Sequence, residues 1–122
     1  MTDPLADICD YLDLLTGIHV YRGQLPKSFD NTAPCVVVTL QDDAHSVSSS
    51  TRRVIFQFRI YGGSASATVC GEWYNSVLEH LTGASYGRIL HIGELSGQEL
   101  PGDPVTGWPA YLLRATARIN ER

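Results

Sequence analysis

Four places in the chain hold side chains that could do chemistry. The densest is Asp42-Asp43-Ala44-His45, where two carboxylates and an imidazole fall together. Such a set could bind a metal ion or work as an acid–base pair. It lies inside a serine-rich run, QDDAHSVSSST, from Gln41 to Thr51. Metal ligands need outer partners that hold them in orientation, and this run supplies none, so the residues read as the solvated tip of a hairpin. Cys70 with His80 or His91 could form a thiolate–imidazole pair. Cys70 falls on an apolar helical stripe, however, where burial raises a thiol's pKa and leaves it inert. Cys35 opens an apolar strand and reads the same way. Gly62-Gly63-Ser64 precedes a helix, as anion-binding loops do, yet neither GxGxxG nor GxxxxGK[ST] is present. Trp108, beside Pro109 and near Tyr111, is either a binding aromatic or a core anchor that folds its loop back. His19, His80 and His91 stand isolated and read as ordinary structural residues. The pattern therefore predicts no catalytic, metal-ligating or cofactor-binding residues and no enzymatic activity.

Composition narrows the classes further. The chain has 122 residues and a mass of 13.4 kDa, the size of one domain with a core that needs no staples. Nine basic residues stand against thirteen acidic ones, a net charge of −4, and the one lysine is Lys27. Nucleic-acid readers carry a basic face, and no basic cluster is visible along the chain, so direct gripping of DNA is disfavoured. Cys9, Cys35 and Cys70 are odd in number, form no CxxC and follow no secretory signal, which predicts reduced thiols in a cytosolic setting. No apolar run reaches the ~18 residues of a membrane span. The charged fraction of 18% is slightly low, which points to surface covered by another chain.

The elements that must position these residues centre on Arg52 to Tyr61, RRVIFQFRIY. Val54, Phe56, Phe58 and Ile60 alternate with Ile55, Gln57, Arg59 and Tyr61, the period of a strand with one fully apolar face. Two phenylalanines side by side on that face predict a central strand. Before it, a helix over residues 4–16 starts at Asp3 and Pro4 and stops at Gly17. Its stripe is Leu5, Ile8, Cys9, Leu12 and Leu15, with Asp7, Asp10 and Asp13 outside. A short strand at 18–22 and a loop at 23–34, pinned by Leu25 and Phe29, lead to CVVVTL at 35–40, β-branched and suited to cover on both faces. Residues 41–51 read as a polar hairpin loop. After the central strand, a helix begins near Ser64 or Ser66 and runs to about Thr82. Cys70, Trp73, Tyr74, Val77, Leu78 and Leu81 form its stripe, and Gly83 ends it. A weaker strand at 88–95 has a bulge or an edge at Gly93. A loop at 96–109 and a last strand at 110–119 complete the chain. The order α-β-β-β-α-β-β predicts an α+β fold, two helices on a mixed, mainly antiparallel sheet of four or five strands, in a single domain over residues 1–122.

Taken together, VYRGQLP at 20–26, PCVVVTL at 34–40, VIFQFRIYG at 54–62 and the element order over about 5–119 resemble the tail terminator and tail completion proteins of long-tailed bacteriophages and prophages. These are also known as head–tail joining or minor tail proteins. The long loop at 96–109 does not match that pattern. The resemblance implies a homo-oligomeric ring, a hexamer, seated on the head-proximal end of the tail tube. Such a ring ends tube polymerisation and offers a surface to the head connector. It implies a virion location, assembly in the host cytoplasm, tail tube protein and connector or neck proteins as partners, and DNA passing through the lumen without specific binding. It brings no cofactor, no metal and no membrane contact. The expected interface residues are Asp42, Asp43, His45, Ser48, Ser49, Arg52, Arg53 and Trp108. Two other readings stay open: a connector one step nearer the head, and a small-molecule-binding α+β domain with a pocket around Trp108, His91 and the turn at 62–64.

Overall fold

Strict alternation makes the central run the middle of a sheet, and the surrounding elements follow from what its apolar face must bury. The computed structural model of the chain describes residues 4–16, 19–23, 35–45, 51–62, 67–87, 89–100 and 109–120, with backbone alone at 15, 16, 42–45, 51, 67 and 120. In chain order the described elements are helix α1 (Pro4–Thr16), strands β1 (His19–Arg22), β2 (Cys35–His45) and β3 (Thr51–Tyr61), helix α2 (Ala67–Leu81), and strands β4 (Ile89–Leu100) and β5 (Ala110–Asn120). The sheet order is β1-β2-β3-β5-β4, with β1 parallel to β2 and every other pair antiparallel. The fold is thus the expected α+β sandwich, with β3 at the centre of five strands.

The apolar face of β3 is buried throughout. Val54, Phe56, Phe58 and Ile60 are each 0% exposed, and the two phenyl rings sit 6.1 Å apart in a tilted pair. Register brings Ala117, Ala115, Leu113 and Tyr111 of β5 beside them on one flank. Val38 and Val36 of β2 face Phe58 and Ile60 on the other. Both helices cover this same face. Ile8, Cys9 and Leu12 of α1 and Val77 and Leu81 of α2 join one continuous cluster with the strand residues. The helices are tied to each other where the Tyr11 hydroxyl donates to the His80 carbonyl at 2.6 Å. Asp10 and Asp13 are exposed as expected, but Asp7 is half-buried beside Gly87 rather than outside. Gly83 ends α2 with φ +69°, a left-handed stop that a side chain would strain.

Two strands run further than their polarity predicts. β2 continues past Leu40 to His45, and β4 past Leu95 to Leu100. Polar composition argues for contact with water, not against a ladder. Asp42 to His45 pair with Ile55 to Arg52, and Ser96 to Leu100 pair with Arg114 to Ala110, so the neighbouring strand supplies the backbone hydrogen bonds. Each extension follows a register break, between Leu40 and Asp42 in β2 and between Gly93 and Ser96 in β4. The second break is the bulge expected at Gly93, and Glu94 adopts φ 49° within it. The loop at 24–34 with Leu25 and Phe29, the helix cap at Asp3 and the stop at Gly17 lie outside the described residues.

Candidate interaction surface

Side chains that alternate with the core residues point to the opposite face of the sheet. From β3 these are Arg53, Ile55, Gln57, Arg59 and Tyr61, and from β5 they are Leu112, Arg114, Thr116 and Arg118. The described helices cover the other face, so this one is outer. It has two zones. At one end Cys35, Val37, Ala110 and Leu112 are buried. Toward the other end the sheet opens, and Arg53, Arg114 and Arg118 are exposed; Arg59, in the row of Val37 and Leu112, is the exposed residue of the first zone.

The register assembles these cations into a pattern that the linear sequence hides. Arg53 stands directly opposite Arg118, and Arg118 stands opposite His91, so one cross-strand row carries three basic groups over β3, β5 and β4. The next rows are Ile55–Thr116–Gly93 and Gln57–Arg114–Ser96. Like charges directly opposed on antiparallel strands are destabilising. The row borders a cleft of about 400 Å³ whose walls include Arg53, His91, Thr116, Arg118 and Glu94. Glu94, on the bulge, is the carboxylate among the described lining residues.

The helix layer has the opposite charge. α1 carries Asp7, Asp10 and Asp13, α2 carries Glu72 and Glu79, and neither helix contains a lysine or arginine. Asp10, Asp13, Glu72 and Glu79 are exposed. Leu14, 69% exposed, stands next to Asp13, and Val69 is also exposed on α2. Among the described residues, the helical side is thus acidic and the outer sheet side bears the arginines, with Glu94 beside them.

The expected interface residues distribute unevenly over this frame. Asp42, Asp43 and His45 belong to the β2 extension, with Asp42 registered to Ile55, Asp43 to Val54 and His45 to Arg52. Their side chains, together with Ser48, Ser49, Trp108 and the Gly63-Ser64 turn, lie outside the described residues. Arg53 is on the outer face. Arg52 is not displayed: it occupies the core-facing side of β3, in line with Val54, and is 7% exposed. Its neighbour in the sequence reaches the cleft because a strand sends successive side chains to opposite faces. Arg59, Arg114, Arg118 and His91 are the surface residues that the sequence reading missed. The period-two positions 53, 59, 114 and 118 already placed them on one side of each strand; what was lacking was the pairing of β3 with β5.

All three thiols are free and buried. Cys70 is fully buried, with its Sγ 3.5 Å from the Pro109 carbonyl oxygen and 3.7 Å from that of Ile60. Burial, and then the charge of Glu99, raise its pKa. Burial alone pushes the Cys35 thiol up to about 11. Neither candidate histidine meets Cys70. His80 is ten residues further along the same helix, roughly 15 Å away by helical rise, and its Nδ1–H donates to the Ser76 carbonyl at 2.7 Å. His91 belongs to the outer side of the sheet. Gly62 needs no anion to explain it: a Cβ there would lie 2.8 Å from the Cys70 Cβ, so close strand–helix packing demands glycine.

No protein-family model matches the chain, and no curated protein sequence matches it. Among solved structures, a chain in the virion of a native gene transfer agent (GTA) particle is similar in fold. The superposition covers 95% of this chain and 93% of that one, with a TM-score of 0.63 at 17% sequence identity. The two chains share the α+β architecture nearly end to end.

Proposed function

We propose that this chain is a structural, non-catalytic component of a phage-like virion. It assembles as a homo-oligomeric ring, a hexamer, at the head-proximal end of the tail tube. There it ends tube polymerisation and presents the surface to which the head connector attaches. The observation that carries this reading is the fold shared over 95% of the chain with a component of a gene transfer agent virion. Buried, high-pKa thiols and histidines held apart from them support a role without covalent chemistry. The net charge of −4 suits a lumen through which DNA slides, because a basic wall would bind phosphates by counterion release.

The test is assembly. Purified protein is examined by light scattering and electron microscopy, alone and with tail tube protein. Rings, and tubes that cease growing once the rings are added, are expected. Monomers under both conditions would refute the proposal.

A further inference from the structure

We infer that the arginine-bearing half of the outer sheet face docks on the acidic helix layer of a second copy of this chain, head to tail, with a neighbour's carboxylate entering the cleft between Arg53, Arg118 and His91. This rests on the ring reading and names the contact that would build the ring.

Charge complementarity carries the inference. Arg53, Arg59, Arg114 and Arg118 face outward on adjacent strands β3 and β5. Asp10, Asp13, Glu72 and Glu79 are exposed on helices that contain no cation of the lysine or arginine type. The two surfaces occupy opposite sides of one two-layer molecule, so the helix carboxylates of a molecule cannot reach its own outer-face arginines, and Glu94 is the carboxylate among the described residues of their cleft. A two-fold contact made face to face through either surface would lay arginines on arginines or carboxylates on carboxylates, and like-charge juxtaposition is strongly unfavourable. The contact that pairs unlike charges uses two different patches on each copy. Such a heterologous contact repeats, closing into a ring or growing into a filament.

The cleft supplies a point of register. Arg53 and Arg118 are opposed across the strands at a cost in stability, and an anion between them reverses the sign of that cost. Arginine takes a carboxylate through paired N–H donors, and the Thr116 hydroxyl is a further donor in the same cleft. Glu94 lies at this cleft as the local carboxylate that an incoming one must share the site with. On the other surface, exposed Leu14 beside Asp13 gives the acidic patch an apolar contact. Docking also removes the arginines from any wall that DNA would touch. Duplex DNA is the rival occupant for these cations and is one arm of the test.

The experiment uses the full chain in three forms: Arg53→Glu/Arg118→Glu, Asp10→Arg/Asp13→Arg, and the quadruple variant. All the altered residues are exposed, and circular dichroism with thermal melts verifies folding. Association is measured by light scattering across a salt series. Wild-type assembly weakens as salt shortens the ~10 Å screening length at 0.1 M. Each double variant loses at least about a hundredfold in self-association, and the quadruple variant, with both signs reversed, regains it. A folded Arg53→Glu/Arg118→Glu protein that assembles like wild type overturns the inference while leaving the ring intact. So does failure of the folded quadruple variant to recover. Duplex DNA binding that is lost in that double variant while assembly persists would assign the face to nucleic acid instead. A wild-type protein that is monomeric throughout overturns both the inference and the ring.

Discussion

Truncating Phe58 to alanine is the sharpest check on the register from which every face assignment follows. The side chain is 0% exposed, its ring is 6.1 Å from that of Phe56, and it lies between Val38 and Leu113 in register. Interior strands flank it on both sides and the helices lie above, so little can collapse into the space left behind. Phe→Ala changes at such sites cost about 3–5 kcal/mol, through lost transfer energy plus the residual cavity. That is a large part of the ~5–15 kcal/mol that holds a domain together. The matched control is Arg59→Ala, one residue along on the outer face, where exposed substitutions stay within about 0.5 kcal/mol. Urea denaturation followed by circular dichroism reads both, with the slope expected unchanged and only the midpoint moving. A Phe58 variant within 1 kcal/mol of wild type, or an Arg59 variant that loses more than it, would refute the alternation and with it the placement of the arginines.

Three further outcomes follow from the same structure. Gly62→Ala forces a Cβ to 2.8 Å from the Cys70 Cβ and should cost about 1–3 kcal/mol, as overpacking does; an unchanged melting curve would show that the turn relaxes freely. Cys35 ionises near 11 when folded against a reference of 9.0, so folding favours its protonated form. That stabilisation is whole below pH 9 and is lost as pH climbs toward 11. Cys35→Ala should therefore flatten the alkaline limb of a stability–pH profile over that window, and parallel limbs in the two proteins would count against burial as the cause. Replacing residues 46–51 with Asn-Gly, a two-residue hairpin turn that suits the opposed pair His45 and Arg52, should leave monomer stability within about 0.5 kcal/mol and weaken assembly; a large loss of thermal stability would show that the segment serves the core.

Much of the architecture was legible because burial imprints periodicity. Val54 to Ile60 and Tyr111 to Ile119 announce strands at period two, and Cys70 to Leu81 announces a helix lying on a sheet. The ends of β2 and β4 were not legible. Asp42-Asp43 and Ser96-Gly97 have the composition of loops, and their strand state depends on partners on the next strand, Ile55 and Val54 in one case, Arg114 and Leu113 in the other, which local composition does not reveal. The surface was legible in half. Alternation assigns Arg53 and Arg59 to one face of β3, and Arg114 and Arg118 to one face of β5. Only the pairing of Arg53 with Arg118 joins the two sets, and pairing is a property of topology rather than of local pattern. Arg52 shows the converse limit: an arginine at the start of a strand suggests display, yet its parity with Val54 draws it inward.

The rims of the sheet have a consequence of their own. Among the described strands, the border on one side is β1, four residues long, and on the other it is β4, interrupted by two register shifts. Short and broken borders are poor templates for adding a strand. Copies of this molecule are thus discouraged from zipping backbone to backbone into an unbounded ribbon, the fate that an open sheet risks when many copies crowd together. Contacts made through side chains instead can be undone by salt and remade, so misplaced subunits can leave and return until a closed assembly is reached.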